Sequence, residues 1–109
     1  MQAIKILALT QVAAAALSGH RFVGFDGNYA AAGADALGTT EYDAQAGDPV
    51  SIETLGVSRV EAGGPFNKGD KLEVGADGKA VVLAAGEPVA KALADSAGDG
   101  SIVSVLLTP

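Results

Sequence analysis

The sequence predicts a mainly β protein: a compact small β-sandwich or barrel-like domain of short antiparallel strands, with at most one short helix. Three observations carry this. A Gly-Asp phrase occurs three times, as Ala46-Gly47-Asp48, Lys68-Gly69-Asp70 and Ala97-Gly98-Asp99. Glycine accepts the positive-φ corner of a tight turn, and an aspartate side chain can bond the turn's own backbone. Apolar residues then recur at every second position, as in Val50 and Ile52, Leu72 and Val74, and Val103 and Val105. That is the period of a strand with one buried face. Many short strands separated by glycine turns fit a closed or nearly closed β architecture.

The elements follow in order. Ala3 to Leu9 reads as a strand, with Ile4, Ile6 and Ala8 on one face and Leu7 and Leu9 on the other. Ala13 to Leu17 is helix-permissive, yet five residues are too few for a stable helix alone, and a turn fits equally. Arg21 to Phe25 is a strand stopped by the turn signal Asp26-Gly27-Asn28. Tyr29 to Asp35 is loop or irregular edge, and Ala36 to Tyr42 is strand-like. Val50 to Val60 is a strand broken or bent near Gly56. Lys71 to Val74 and Ala80 to Leu83 flank Gly75-Ala76-Asp77-Gly78-Lys79 and read as a hairpin. Pro88 to Ala94 has helix composition, with Val89 and Leu93 four apart, but a short strand is the rival. Ser101 to Leu107 closes the chain. A longer echo relates Leu37-Gly38 before Gly47-Asp48 to Leu55-Gly56 before Gly69-Asp70. It reads either as an old duplication or as the common look of short strands with glycine turns.

The chain has 109 residues, no cysteine, no tryptophan and few aromatics. It is one small domain that can close only a thin core. Val, Ile, Leu and Ala must build that core, and burial gives about 25 cal/mol per Å². Neither a disulfide nor a Cys-based zinc site is possible. Oligomerisation is therefore expected to supply stability that the protomer lacks. The net charge is −6, which argues against nucleic-acid binding. The seven cationic residues are scattered along the chain and are expected to form no patch. Met1 to Gly19 is similar to a weak secretory signal, but its charged region is minimal and Thr10-Gln11 interrupt the apolar run. No run is long enough to span a bilayer, so no membrane partner is expected.

No reaction centre emerges. His20 is the sole histidine, and a general base needs a nucleophile and an orienting acid beside it. Asp95 to Gly100 resembles half a calcium loop, but Ala97 and Leu106 stand where ligands belong. Gly64 to Lys71 lacks the Gly-Lys-Ser/Thr of a phosphate loop and puts Asp70 where phosphates would lie. Lys79 could sit at a hairpin tip like a carrier lysine, although Asp77-Gly78 is an ordinary turn. No catalytic, cofactor-binding or metal-binding residue is assigned, and no cofactor is expected. The positive mean hydropathy leaves apolar surface for a partner.

The order of motifs from about residue 20 onward resembles the capsid cement, or head decoration, proteins of tailed bacteriophages. The matching stretches are Arg21-Phe22-Val23-Gly24-Phe25-Asp26-Gly27, Ala36-Leu37-Gly38, Ala46 to Ile52, Leu55-Gly56-Val57, Lys68 to Leu72, Asp77 to Ala80, and Ala97 to Leu107. The resemblance implies a β-tulip-type domain, a homotrimer, and no catalytic residues. It also implies a strand at Val89 to Leu93. The partner it implies is the major capsid protein, on the outer surface of a virion assembled in the host cytoplasm. The function it implies is stabilising the expanded shell against internal DNA pressure. Residues 1–19 are expected to form an N-terminal arm or edge strand and residues 20–109 a single β-rich domain. Ala3, Ile4, Ile6, Leu7 and Leu9 are the candidate contacts to the capsid or between subunits. A secreted or periplasmic ligand- or surface-binding β-domain is the alternative.

Overall fold

Residues 4–107 of the chain are described by a computed structural model, with side chains described for residues 7–107. The strands are β1 (Ile4–Val12), β2 (Phe22–Val23), β3 (Gly38–Thr40), β4 (Pro49–Glu61), β5 (Lys71–Val74), β6 (Ala80–Val82), β7 (Ala90–Ala92) and β8 (Ile102–Leu107). A single 3-10 turn, Ala76–Gly78, joins β5 to β6. The strands form one sheet in the order β2-β3-β4-β8-β7-β5-β6, and β1 also pairs with β4. Every strand pair is antiparallel. The sheet curls until it is nearly a closed barrel. Among the described residues, no helix is long and apolar enough to cross a membrane.

Thirteen-residue β4 is the spine, because three strands pair with it. Val50, Ile52, Gly56, Ser58 and Val60 are buried, while Arg59 faces water. The two-residue period is that of a half-buried strand. Glu53 lies between Ala8 and Thr39, and Gly56 lies between Lys5 and Leu107. Thus β1 follows one edge of β4 while β3 and then β8 take the other. The strand is continuous through Gly56, whose φ is +106°. Facing that point, β1 shifts register twice, between Lys5 and Leu7 and between Leu7 and Ala8. The expected strict alternation of β1 is lost there, and Leu7 to Thr10 are all exposed.

Two apolar clusters fill the interior. The larger includes Phe22, Val60, Phe66, Leu72 and Val105. The smaller holds Ala13, Leu17, Val23, Val50 and Ile52, with Tyr29 and Leu37 packed against it. Neither helix-permissive segment is helical. In 88–94 the strand reading holds, since Ala90 and Ala92 are buried and Lys91 between them is exposed. Both edges of β7 are occupied, by β5 and β8, and a waiting sheet overrides a weak helical propensity. In 13–17, the N–H of Ala13 donates to Asp48 O and the N–H of Leu17 to Ala44 O, at 2.9 and 2.8 Å.

The repeated Gly-Asp phrase proves to be one backbone device used three times. Gln45–Asp48, Asn67–Asp70 and Gly98–Ser101 are turns closed by a bond from the fourth N–H to the first carbonyl, at 3.0, 3.0 and 3.4 Å. The third residue of each has positive φ: Gly47 at +90°, Gly69 at +93° and Gly100 at +91°. This is type II turn geometry, which favours glycine at that position. Each turn clips a buried alanine of the neighbouring segment. The glycine N–H donates to the alanine carbonyl, and the alanine N–H donates to the carbonyl of the fourth turn residue. The alanines are Ala13, Ala92 and Ala62 in turn, with bonds of 2.7 to 2.9 Å. They are at most 1% exposed. The residue before each alanine pairs with the residue after each turn: Val12 with Pro49, Lys91 with Lys71, Glu61 with Ile102. The third clip therefore corrects the sequence alignment by two residues. Gly100, not Gly98, is the counterpart of Gly47 and Gly69.

Candidate docking surface

The candidate contacts on β1 meet different fates. Ala3 lies outside the described residues. Ile4 and Ile6 belong to the backbone of β1, opposite the middle of β4. Leu7 and Leu9 are 48% and 45% exposed although their strand is hydrogen-bonded to β4. They line an apolar groove of about 320 Å³ together with Phe25, Ala36, Leu37 and Leu55, with Asp35 and Thr54 as its polar members.

The groove is built by local rules. Phe25 follows β2 and precedes the turn at Asp26-Gly27-Asn28, which throws its ring outward. It is 69% exposed, the highest value among the large apolar residues described. Asp26 fixes that turn by accepting the Asn28 backbone N–H at 3.1 Å. This bond, with a second from the Asn28 side chain, holds the Asp26 carboxyl below the ordinary aspartate pKa. Gln11 Nε2 donates to Phe25 O at 2.8 Å and ties the loop to β1. Thr54 Oγ1 donates to Leu7 O at 3.2 Å, where β1 changes register. Gly27, at φ +85°, comes so close to Val12 that an added Cβ would lie 2.6 Å from its carbonyl oxygen. Sequence reasoning found Leu7 and Leu9 but missed Phe25, Leu37 and Leu55. Phe25 beside a strong turn signal was the available clue.

The residues weighed for chemistry are occupied otherwise. Lys79 Nζ sits 3.0 Å from Asp99 and 3.3 Å from Glu61, which also pairs with Arg21 at 3.3 Å. These carboxylates raise the Lys79 pKa above the ordinary lysine value. A lysine held this way links the hairpin to the third clip, unlike the free tip of a carrier. Asp95 accepts the Lys68 N–H at 2.7 Å. His20 adopts φ +60°; its N–H donates to Thr40 O, and its carbonyl accepts the Glu61 N–H. The expectation of scattered cations is corrected: β-pairing brings Lys71 directly opposite Lys91, and Arg59 lies on the outer side of the same sheet.

Residues 1–107 match the family model described as phage cement protein. The chain belongs to the phage cement protein family. Its role is accordingly structural and associated with the bacteriophage capsid, as a component of the virion. No curated protein matches this cement protein. Among solved structures it is similar to the N base of the head fiber gp8.5 of bacteriophage phi29. The two share 22% identity over 94% of this chain and 93% of that one, with a TM-score of 0.76. That likeness bears out the β-rich, barrel-like fold.

Proposed function

We propose that the chain is a non-enzymatic cement that binds the exterior of the expanded shell as a trimer and stabilises it against the pressure of packaged DNA. The observation that carries this reading is the gathering of Leu7, Leu9 and Phe25 around one open groove, within a chain of the cement family. The major capsid protein is the partner. Residues 1–19 act as the attachment arm and residues 20–109 as the body, with Ala3, Ile4, Ile6, Leu7 and Leu9 as the contact set. Full burial of a leucine gives about 2 kcal/mol, so each half-covered one has about 1 kcal/mol left to contribute. Three arms on one trimer multiply such modest contacts through effective concentration.

The mechanism is linkage. A molecule that binds the assembled lattice and not free subunits stabilises the lattice by about RT ln(1+[L]/Kd) per site. No bond need be made or broken. Deleting residues 1–9 would also strip the edge of β4, so substitution is the cleaner test. Leu7→Ser/Leu9→Ser is expected to keep the native circular dichroism and to lose co-sedimentation with purified expanded heads. Undiminished decoration by this folded variant would overturn the assignment of the arm.

A further inference from the structure

The outer face of the sheet carries a second, chemically different surface. Register places Val57 opposite Leu106, Leu106 opposite Lys91, and Lys91 opposite Lys71. Directly opposed residues project to the same side of a sheet. The four therefore form a row across β4, β8, β7 and β5. Arg59 lies two residues from Val57 on the same side, and Ile102 lies on that side too, opposite Glu61 and four residues from Leu106. Arg59, Lys71 and Lys91 are exposed, as are Leu106 at 38% and Ile102 at 48%. Among the described residues, none of the three cations forms an ion pair. Like charges directly opposite each other destabilise a sheet, and the fold keeps Lys71 against Lys91 nonetheless.

The opposite charge is just as segregated. Residues 22–58 contain six acidic residues and no Lys, Arg or His. The other seven acidic residues are balanced by the seven basic ones, so the whole net charge of −6 resides in that segment. Asp26, Asp35, Asp43 and Asp48 are exposed there. Each accepts a backbone N–H, from Asn28, Ala36, Gly19 and Gln45 respectively, and none meets a cation among the described residues. This segment supplies β2, β3 and the first part of β4, which β8 separates from β7 and β5 in the sheet order, while its Gly33 N–H donates to Val74 O at the end of β5.

We infer that the Arg59–Leu106–Lys91–Lys71 face is a protomer–protomer surface, and that its occupant is the acidic 22–58 surface of a second copy of this chain. It rests on the self-association part of the function proposed above, and not on shell binding. Complementary patches on different parts of one protomer make a heterologous, head-to-tail contact, which gives a ring when its rotation closes and a filament when it does not; a trimer requires the closed form. A face-to-face dimer would instead set Lys71 and Lys91 against their own counterparts. Leu106, with Val57 directly opposite it, provides the apolar part that such a contact dehydrates.

Sedimentation velocity on the full chain tests this, with expanded-head binding measured in parallel. Lys71→Glu/Lys91→Glu replaces one like-charged pair by another, so the cross-strand repulsion within the fold is retained. It is expected to weaken self-association at least about tenfold. Adding Asp35→Lys/Asp43→Lys to it is expected to restore assembly, and salt near 1 M to weaken assembly of the unmodified chain. If the unmodified chain assembles and the Lys71→Glu/Lys91→Glu variant assembles equally, the face is wrongly assigned and the trimer reading survives. If the unmodified chain stays monomeric yet decorates heads, both the trimer and this surface fail while shell binding stands. If the variant stays assembled and loses only head binding, or only binding to a duplex DNA probe, the face serves the shell or nucleic acid and the inference is overturned.

Discussion

The clip at Ala13 and the clip at Ala92 are the same backbone structure dressed in two ways. In both, a type II turn grips an alanine, and a further bridge forms four residues past it: Leu17 with Ala44, and Ser96 with Phe66. Both turns are closed by aspartate: Asp48 Oδ2 accepts the Gln45 N–H, and Asp70 Oδ2 the Asn67 N–H. Beyond that they diverge. At Ala92, Asp95 caps the Lys68 N–H, and the Ser96 hydroxyl donates to Gly64 O. At Ala13, Ala16 and Leu17 occupy the corresponding places. The Ala92 clip is reinforced by polar side chains. The Ala13 clip lacks those braces and sits beside exposed Val12, 62% open to water. A single turn design thus serves a closed end and an end that keeps apolar surface available.

The largest expected effect attacks what the two clips share. Gly47→Ala and Gly69→Ala each force a Cβ into positive φ, and nothing lies within 4 Å of either added atom. Strain alone should act, so urea unfolding should show losses of about 1–2 kcal/mol that match between the two sites. A marked inequality would mean that the clips are not equivalent. The next effect probes the difference. Asp95→Ala should cost about 1 kcal/mol, as the loss of a backbone cap does, whereas Ala16→Asp should stabilise the Ala13 clip by less than about 1 kcal/mol in the same assay. The smallest effect concerns the third clip, whose turn closes with Ser101 and leaves Asp99 for Lys79. A raised lysine pKa gives stability that is present below the unfolded-state pKa and lost as pH rises through the folded one. Lys79→Met should therefore lower the melting temperature slightly at neutral pH and flatten the alkaline limb, so that the two profiles converge as pH rises through the folded Lys79 pKa.

The turns and strands were legible because their signals are local. Glycine before or after aspartate, and apolar residues two apart, identify β4, β5 and β8 without tertiary knowledge. The third clip was misaligned because Gly98-Asp99 copies the letters of the motif while Gly100-Ser101 copies its geometry; backbone φ separates them, and residue names do not. At 88–94 local composition slightly favoured a helix over a rival strand, and the resemblance to a family tipped the reading to the strand. Leu7 and Leu9 were found as an apolar run, but Leu55 meets Leu7 at a register shift and Phe25 is held beside β1 by Gln11, contacts that no periodicity announces. The cationic row escaped for the same reason. Lys71 and Lys91 are twenty residues apart in the chain and become neighbours only through the pairing of β5 with β7.

The antiparallel union of β1 with β4 has a mechanical consequence. If the shell pulls on β1 along its own axis, the described cross-strand pairs from Ile4–Val57 to Val12–Pro49 resist together in shear. Peeling would let them go one at a time. Tension then passes into the longest strand and spreads through both apolar clusters, so swelling of the container strains a whole domain before it can loosen a tether.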